Sequence, residues 1–154
     1  MTETDILQFH CPGLENGGRF PRDNTGRGKD RSPEIVLENL SPQAKTLAVT
    51  LEDLSHPVKG FTHWVMWNYP ARSVIPSGLP KSERLECGAV QGAAYGFHRY
   101  AGPKPPIWAR HRYKLTVYAL DRALGLSANA RKRQFLKAAE GHILQMGSLT
   151  ADYG

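Results

Sequence analysis

Three strand-like segments with alternating side chains constrain the fold of this chain more than any other feature. They read TLAVTLED (46–53), THWVMWNY (62–69) and HRYKLTVYALD (111–121), and they are rich in β-branched and aromatic residues. The alternation of strands and helices that builds a parallel sheet is missing. The sequence therefore predicts a mainly β fold, an antiparallel β-sandwich with Greek-key connections.

Only one segment has clear helical periodicity, so we predict one or two short helices, the clearest near 127–140. Ser127 or Asn129 could cap this helix, and Gly141 would end it. Its predicted buried stripe consists of Phe135, Leu136 and Ala139. This helix, close to the end of the chain, is thus expected to lie against the sheet.

The remaining elements follow from short apolar runs and turn residues. Strands are predicted at Ile35–Glu38, Thr46–Asp53, Thr62–Tyr69, Arg112–Asp121 and His142–Leu149. Residues 71–106 are rich in Gly and Pro and should form a long structured loop with one or two short strands. We predict one domain over residues 1–154, with 1–17 as a loosely ordered N-terminal segment.

Composition argues against several classes of protein. No apolar run is long enough to cross a membrane, so no stable membrane insertion is predicted. The first residues lack the basic and apolar regions of a secretory signal, which favours a cytoplasmic location. Cys11 and Cys87 lack metal-type spacing, so free thiols are expected, and neither a metal nor a cofactor is predicted.

The net charge of +6 permits attraction to nucleic acid, but its distribution does not favour a nucleic-acid site. The basic residues are scattered over an early polar loop, the segment 110–114 and the predicted helix. A solvated positive surface accounts for this pattern better than a binding stripe does. We therefore predict no nucleic-acid partner.

Polar residues end two of the apolar strand faces. In the first segment, Asp53 follows Leu47, Val49 and Leu51 on one face, because side chains alternate along a strand. In the second, His63 stands at the start of a strand that is apolar on both faces and is therefore expected to be central and buried. A buried carboxylate needs a partner, and imidazoles are suitable ones.

The third segment supplies a second imidazole. His111 and Tyr113 share the apolar face with Leu115, whereas Arg112 points the other way. Asp53, His63 and His111 could converge on one pocket if their strand ends meet. The alternative is that each histidine is an ordinary core residue with its hydrogen bonds satisfied.

The preceding turn, Gly102-Pro103-Lys104-Pro105-Pro106, is expected to be rigid because proline fixes φ and removes backbone donors. Such a turn could form one wall of a small-molecule pocket, or it could simply end a strand. A second His-Arg-Tyr triplet, at 98–100, has different flanking residues. We interpret that triplet as a coincidence and not as a repeat.

In order, these motifs resemble the phosphatidylethanolamine-binding proteins, in particular their bacterial and archaeal, Raf-kinase-inhibitor-like branch. The resemblance runs from about Gly18 to Tyr153 and includes SPEI, TLAVTLED, HWVMWN, GPKPP with HRY, and YALD with GHIL. It implies a β-sandwich with a small pocket for phosphate-like or carboxylate groups. The implied pocket residues are Asp53, His63, Gly102, Pro105, Pro106, His111 and Tyr113.

The chain departs from the family's pattern at the rim of that pocket. The acidic motif keeps Asp53 and Pro57, but Ser55 stands where a second acid is usual. Trp108 follows the prolines near a position where the family has glycine, which would place an indole near the mouth. The departures leave the choice of ligand open.

Three functions remain after the sequence is read. The first is non-catalytic binding of a small anion or phospho-headgroup, in which Asp53 orients one imidazole. The second is a hydrolase or metal-dependent enzyme that uses Asp53, His63 and His111, although no convincing nucleophile is visible. The third, implied by the family, is a regulatory role through a protein partner. A homodimer is a further option, formed through the aromatic residues 95–100 and Trp108.

Overall fold

The computed structural model describes residues 5–154, which form nine strands, one α-helix and a short 3-10 helix. The strands are β1 (Asp5–Ile6), β2 (Phe9–His10), β3 (Ile35–Leu37), β4 (Thr46–Asp53), β5 (Thr62–Pro70), β6 (Val74–Ile75), β7 (Val90–Gln91), β8 (His111–Leu120) and β9 (Ile143–Tyr153). The helices are α1 (Lys132–Ala139) and the 3-10 helix Arg22–Asn24. The predicted mainly β fold is confirmed.

The strands form a six-stranded sheet in the order β1-β9-β8-β4-β5-β7 and a three-stranded sheet in the order β2-β3-β6. Because β8 returns to lie beside β4, the order β8-β4-β5-β7 is that of a Greek key. Neighbours are antiparallel, as predicted, except for β1 and β9, which run parallel. No tight hairpin joins β1 to β9, so no turn imposes the antiparallel direction.

In the large sheet, the central strands β4 and β5 are buried on both faces. The inner face of the sheet packs against the small sheet, whose Ile35, Leu37 and Ile75 belong to the same apolar cluster as Leu47 and Trp64. On the outer face, α1 and the segment before it cover these central strands and the end of β8. This two-sided burial explains why β5 is apolar on both faces, and each fully buried large side chain contributes about 1.5–3 kcal/mol.

On the outer face, the contact between α1 and the sheet is aromatic. The ring of Phe135 stacks on Trp67 with centroids 6.2 Å apart and meets Tyr118 edge-on at 5.2 Å. Phe135 and Ala139 are fully buried. The helix is therefore held to the sheet mainly through one ring and one small residue.

The strict alternation expected along β5 fails at Asn68. Strict alternation would place Tyr69 on the same face as Val65 and Trp67, but it lies in the inner cluster. The register with β4 shifts at this point, and Asn68 has a φ of 60°. A β-bulge adds one residue to a strand and so reverses the faces beyond it.

The helix begins later than predicted. Ser127 ends up in a separate turn, where its Oγ accepts the Asn129 N–H at 3.1 Å, and this turn does not continue into the helix. The residue before α1 is Arg131, whose N–H donates to Gln134 Oε1 at 3.0 Å. Leu136, predicted to be buried, is 39% exposed, because the stripe that meets the sheet consists of Phe135 and Ala139.

Two strand ends also differ from the prediction. The last strand was expected to end at Leu149, but β9 continues to Tyr153, and β8 begins at His111 instead of Arg112. The two strands pair along their whole lengths, from His111 opposite Tyr153 to Leu120 opposite Ile143. Continuous pairing with a long neighbour extends a strand beyond the limit that its own apolar pattern suggests.

The N-terminal segment is packed over its described part. Residues 1–4 of the predicted loose segment lie outside the described residues. Leu7, Cys11 and Leu14 are buried, and the Leu7 N–H donates to the Met146 carbonyl at 3.0 Å. Both cysteines are free thiols, and burial raises the pKa of Cys11 to about 12. Within residues 5–154, no helix has the length and apolarity needed to span a membrane.

Candidate anion-binding site

The register of β4 and β8 brings an acid and an aromatic alcohol together. Asp53 lies directly opposite Tyr113, and both side chains are buried on the inner face of the large sheet. His111 is two residues before Tyr113 and therefore projects from the same face. Ordinary strand pairing thus brings together Asp53 and His111, two of the three residues predicted to converge.

His63 reaches the same place by a different route. Strict alternation would put it with Val65 and Trp67 on the outer face. However, Leu51 pairs with Trp64 and Glu52 with Thr62, so His63 is the extra residue of a β-bulge. Its ring contacts Tyr113 edge-on, with centroids 5.4 Å apart. The bulge therefore turns the imidazole of His63 toward the inner face.

Both oxygens of the Asp53 carboxylate accept hydrogen bonds. The Nδ1–H of His111 donates to Oδ2 at 2.6 Å, and the Ser55 N–H donates to Oδ1 at 2.8 Å. Asp53 is only 4% exposed, so an unpaired charge would be costly at this position. Ser55 is fixed in turn, because its Oγ accepts the Arg112 N–H at 2.9 Å.

His63 is also held through Nδ1, here by the backbone. Its Nδ1–H donates to the Ala101 carbonyl at 2.8 Å. Burial lowers the pKa of His63 below its ordinary value, although the carbonyls of Ala101 and Gly102 and the charge of Asp53 act in the opposite direction. The free site therefore favours a neutral His63 ring with its proton on Nδ1.

These residues surround a cavity of about 160 Å³. Six of the seven residues predicted for the site line it: Asp53, His63, Pro105, Pro106, His111 and Tyr113. Pro105 and Pro106 of the Gly-Pro turn thus form one wall of the cavity. The volume is well below the roughly 300–1,000 Å³ typical of drug-sized ligands, so the cavity suits a small group.

Gly102, the seventh predicted residue, does not line the cavity. Its N–H donates to Asp30 Oδ1 at 2.7 Å, and a Cβ at this position would clash with the Asn24 carbonyl oxygen. Gly102 is needed for close packing of two backbone segments. Gly102 affects the cavity indirectly, because it fixes the backbone next to the Ala101 carbonyl, which accepts the hydrogen bond from His63.

Four further lining residues were missed by sequence reasoning: His56, Phe61, Tyr95 and Lys104. The His56 ring stacks on Phe61 at 3.9 Å, and Tyr95 lies 5.0 Å from His63, centroid to centroid. The position of His56 in the Asp53–Pro57 turn was a usable signal, since this turn leaves the end of β4. Nothing in the alternation pattern pointed to Tyr95.

Tyr113 completes the polar side of the cavity as a neutral phenol. Burial and the charge of Asp53 raise its pKa well above the ordinary value, and a hydrogen bond with the Lys104 backbone acts in the opposite direction. The hydroxyl therefore stays protonated near neutral pH. It can serve as a neutral hydrogen-bonding group beside the two imidazoles.

Trp108 and the second His-Arg-Tyr triplet lie outside the cavity. Trp108 is 88% exposed on the turn 106–109, in which the Ala109 N–H donates to the Pro106 carbonyl at 2.9 Å. His98 donates from Nδ1 to the Gln91 carbonyl at 2.9 Å. His98 thus has a hydrogen-bonding partner outside the cavity, and the interpretation of the triplet at 98–100 as a coincidence stays a prediction.

A two-sheet β-sandwich with a small Asp-His-His pocket defines the class of fold, and comparisons with known proteins identify the family. The family model described as phosphatidylethanolamine-binding protein matches residues 12–154. The chain therefore belongs to the phosphatidylethanolamine-binding protein family. The resemblance seen in the sequence motifs is confirmed.

Relatives of this chain include UPF0098 proteins from archaea. The protein of Archaeoglobus fulgidus is 39% identical over 142 residues, which are 91% of this chain and 48% of the relative. The protein of Methanothermobacter thermautotrophicus is 38% identical over 149 residues, which are 96% of this chain and 97% of the relative. The chain thus spans about half the length of the Archaeoglobus protein.

Two crystal structures share the fold. A phosphatidylethanolamine-binding protein homologue of Chlamydia trachomatis has a TM-score of 0.83 and 28% identity, covering 98% of this chain and 99% of that chain. YbcL of Escherichia coli has a TM-score of 0.83 and 24% identity, covering 96% of this chain and 97% of that chain. The likeness to YbcL is one of fold alone.

Proposed function

We propose that this chain binds a small oxyanion, such as phosphate or a phospho-headgroup, without catalysing a reaction on it. The observation that carries the proposal is that two of the three imidazoles that line the cavity, those of His63 and His111, are fixed through Nδ1–H. His111 is held by Asp53 and His63 by the Ala101 carbonyl. Nε2 is then the nitrogen of each ring that a ligand in the cavity can use.

The charge state of the rings would favour an anion. When a ring is protonated on both nitrogens, Nε2–H becomes a charge-assisted donor to an oxyanion, and such bonds are about twice as strong as neutral ones. Asp53 balances the charge of His111 at 2.6 Å, so anion binding does not leave an uncompensated buried imidazolium. The Tyr113 hydroxyl adds a neutral donor.

The pH dependence of binding follows from His63. Because burial lowers the pKa of His63 below its ordinary value, the ring must take up a proton when it binds an anion. Anion affinity should therefore increase as the pH falls through this range. Sulfate is the sharper probe because its own charge stays constant there, whereas phosphate titrates near neutrality.

Thermal unfolding with added anion tests the proposal. An anion at ten times its Kd should stabilise the fold by about 1.4 kcal/mol, which is about 3–5 °C in Tm for a chain of this size. His111→Ala should abolish the shift produced by sulfate or phosphate. His98→Ala is the matched control, since His98 lies outside the cavity, and it should keep the shift.

Two outcomes would overturn the proposal. One is no change in Tm at millimolar sulfate and phosphate between pH 5.5 and 8. The other is an equal shift in the wild type and in His111→Ala, which would place the anion elsewhere on the positive surface.

The contact between Asp53 and His111 also supports a second candidate, a general acid–base enzyme. A carboxylate that holds an imidazole through Nδ1 leaves Nε2 free to move a proton. However, the nearby Ser55 hydroxyl accepts the Arg112 N–H and does not line the cavity. Within residues 5–154, no three His, Cys, Asp or Glu side chains are grouped to hold a metal ion.

Elemental analysis and an ester-hydrolysis screen separate the two candidates. Stoichiometric metal in the purified protein, or turnover that is lost in His111→Ala, would favour the enzyme. A regulatory role through a protein partner is compatible with anion binding and stays a prediction.

A further inference from the structure

A third imidazole lines the anion pocket, and its hydrogen bonding is the reverse of that of His63. His56 lies in the loop after β4, where its Nδ1 accepts the Val58 N–H at 3.0 Å. A ring nitrogen that accepts a hydrogen bond carries no proton, so the proton of the neutral His56 ring is on Nε2. In His63 the proton is on Nδ1, because that nitrogen donates to the Ala101 carbonyl.

Phe61 contacts both of these rings and holds them at the same cavity. The His56 ring stacks on Phe61 with centroids 3.9 Å apart, and the His63 ring meets Phe61 edge-on at 5.5 Å. All three side chains line the cavity of about 160 Å³. The stacking and the bond from Val58 fix the His56 ring, so its Nε2–H is preorganised before a ligand binds.

The free nitrogens of the two rings therefore offer opposite polarity to a ligand. His56 presents a donor, Nε2–H, and His63 presents an acceptor, the lone pair of Nε2. Burial lowers the pKa of His63, and the proximity of His56 acts in the same direction, so His63 keeps this acceptor in the free site. A ligand that satisfies both rings needs an unprotonated oxygen for His56 and a hydroxyl for His63.

We propose that His56 sets the ligand specificity of the pocket: together with His63 it selects an oxyanion that keeps a hydroxyl proton, such as hydrogen phosphate, over a fully deprotonated one of equal charge, such as sulfate. This inference rests on the proposed function and narrows its ligand by protonation state. Sulfate has no hydrogen to donate to His63, so its binding requires a proton from the solvent. Hydrogen phosphate brings that proton with it and leaves its other oxygens as acceptors for His56 and the Tyr113 hydroxyl.

Isothermal titration calorimetry at pH 8 compares the two ions, because phosphate is then mainly a dianion and has the same charge as sulfate. We expect phosphate to bind at least about tenfold more tightly, which is the effect of one hydrogen bond that involves a charged group. Arsenate, which keeps a hydroxyl, should behave like phosphate, and selenate, which does not, should behave like sulfate. This second pair controls for the size of the ion.

Titrations in buffers of different ionisation enthalpy measure the proton itself. Binding of sulfate at pH 8 should take up about one proton, whereas binding of hydrogen phosphate should take up close to none. This measurement needs no variant, so it tests the inference even if substitutions in the pocket destabilise the fold.

Two substitutions separate the ligand contact of His56 from its role in the loop. His56→Asn keeps an acceptor for the Val58 N–H but has no N–H at the position of Nε2, whereas His56→Gln has an N–H at about that reach but loses the loop acceptor. His56→Asn should keep the stability of the wild type and bind phosphate about 10- to 100-fold more weakly. His56→Gln should be less stable and yet bind phosphate more tightly than His56→Asn does.

His98→Asn is the matched control for these variants. His98 lies outside the cavity, and asparagine tolerates its φ of 50°. This variant should bind both ions like the wild type.

Each other result overturns the inference. Equal affinity for phosphate and sulfate at pH 8, or equal proton uptake, would show that the pocket does not recognise the hydroxyl. Phosphate binding that is unchanged in His56→Asn would show that His56 only shapes the loop.

Failure of the proposed function is distinguishable from failure of this inference. If neither phosphate nor sulfate binds between pH 5.5 and 8, the pocket itself is not an anion site, and both proposals fall. If both ions bind with His111-dependent affinity and without preference, only the specificity assignment is wrong.

Discussion

At the scale of single residues, the pocket depends on groups that do not line it. Asp30 is one of these. Its Oδ1 accepts the Gly102 N–H, and its Oδ2 accepts from Arg99 at 3.2 Å and from Lys81 at 3.4 Å. Through Gly102 it fixes the chain segment whose Ala101 carbonyl orients His63.

Substitution of Asp30 is expected to change the orientation of His63, although Asp30 does not line the pocket. Asp30 has a φ of 52°, so Asp30→Asn and Asp30→Gly both suit the backbone. Asp30→Gly removes the acceptor of a buried N–H and should cost about 1–3 kcal/mol of unfolding free energy. Asp30→Asn keeps the acceptor and should cost much less.

The diagnostic measurement for Asp30 is the imidazole NMR signal of His63. Asp30→Gly should shift that signal and its titration, and Asp30→Asn should restore both. A purely local loss of stability, with the His63 signal unchanged, would contradict the positioning role.

His63 gives the stability of the protein a definite dependence on pH. Burial lowers its folded-state pKa below 6.5, so the unfolded chain binds more protons as the pH falls below that value. Stability then rises with pH, and the contribution of His63 is lost as the pH falls through 6.5 toward the folded-state pKa. The slope reaches at most about 1.4 kcal/mol per pH unit.

His63→Gln isolates this contribution. In anion-free buffer, the variant should be less stable than the wild type at pH 8, and the difference should shrink at pH 5.5. Urea unfolding at the two pH values measures it. The same destabilisation at both values would show that His63 is not kept neutral by burial.

At the scale of elements, β5 is defined by its two bulges. The first turns His63 inward, and the second, at Asn68, returns Tyr69 to the inner cluster. Both polar atoms of the Asn68 side-chain amide form hydrogen bonds with Leu124. Nδ2 donates to the Leu124 carbonyl at 2.9 Å, and Oδ1 accepts the Leu124 N–H at 2.7 Å. One side chain thus fixes both the bulge and the segment that leads to α1.

Two substitutions at Asn68 separate its backbone role from its hydrogen bonds. Asn68→Gly keeps the favourable φ and loses both bonds, for an expected cost of about 1–3 kcal/mol. Asn68→Ala loses the bonds and also strains the backbone, which adds about 1 kcal/mol. Equal destabilisation of the two variants in urea unfolding would mean that the positive φ carries no cost.

The same bulges mark the limit of prediction from the sequence. Alternation placed Asp53, His111 and Tyr113 correctly, because β4 and β8 pair in register over their shared length. Strict alternation would put His63 on the outer face with Val65 and Trp67, because a bulge depends on the pairing of two strands and leaves no mark in the pattern of one. The sequence could therefore name His63 as a candidate for the pocket, but it could not predict the bulge that turns His63 inward.

The helix start shows a second limit. Ser127 is a good capping residue by type, and here it caps a turn that ends before α1. The helix begins at Lys132, where packing of Phe135 against Trp67 becomes possible. Tertiary contact outweighs the local preference.

At the scale of the whole molecule, α1 covers the central part of the large sheet's outer face, where Phe135 packs against Trp67 and Tyr118. Phe135→Ala should cost about 3–5 kcal/mol, because it leaves a cavity beside Trp67 and Tyr118. The neighbouring change Leu136→Ala should stay within about 0.5 kcal/mol, since that side chain is partly exposed. Urea unfolding of both variants measures the difference, and similar costs would show that the helix is not anchored by its buried stripe.

The Greek-key order has a consequence for biosynthesis. The two partners of the 2.6 Å contact, Asp53 and His111, are separated by 58 positions in the chain. A ribosome needs about 3–12 s to add that many residues. During this interval the backbone groups of β4 that later pair with β8 have no partner strand. An unpaired strand edge is a template for association with other chains. Because non-local strand pairing is slow and leaves intermediates open to aggregation, we expect the yield of folded protein to depend on temperature and on chaperones.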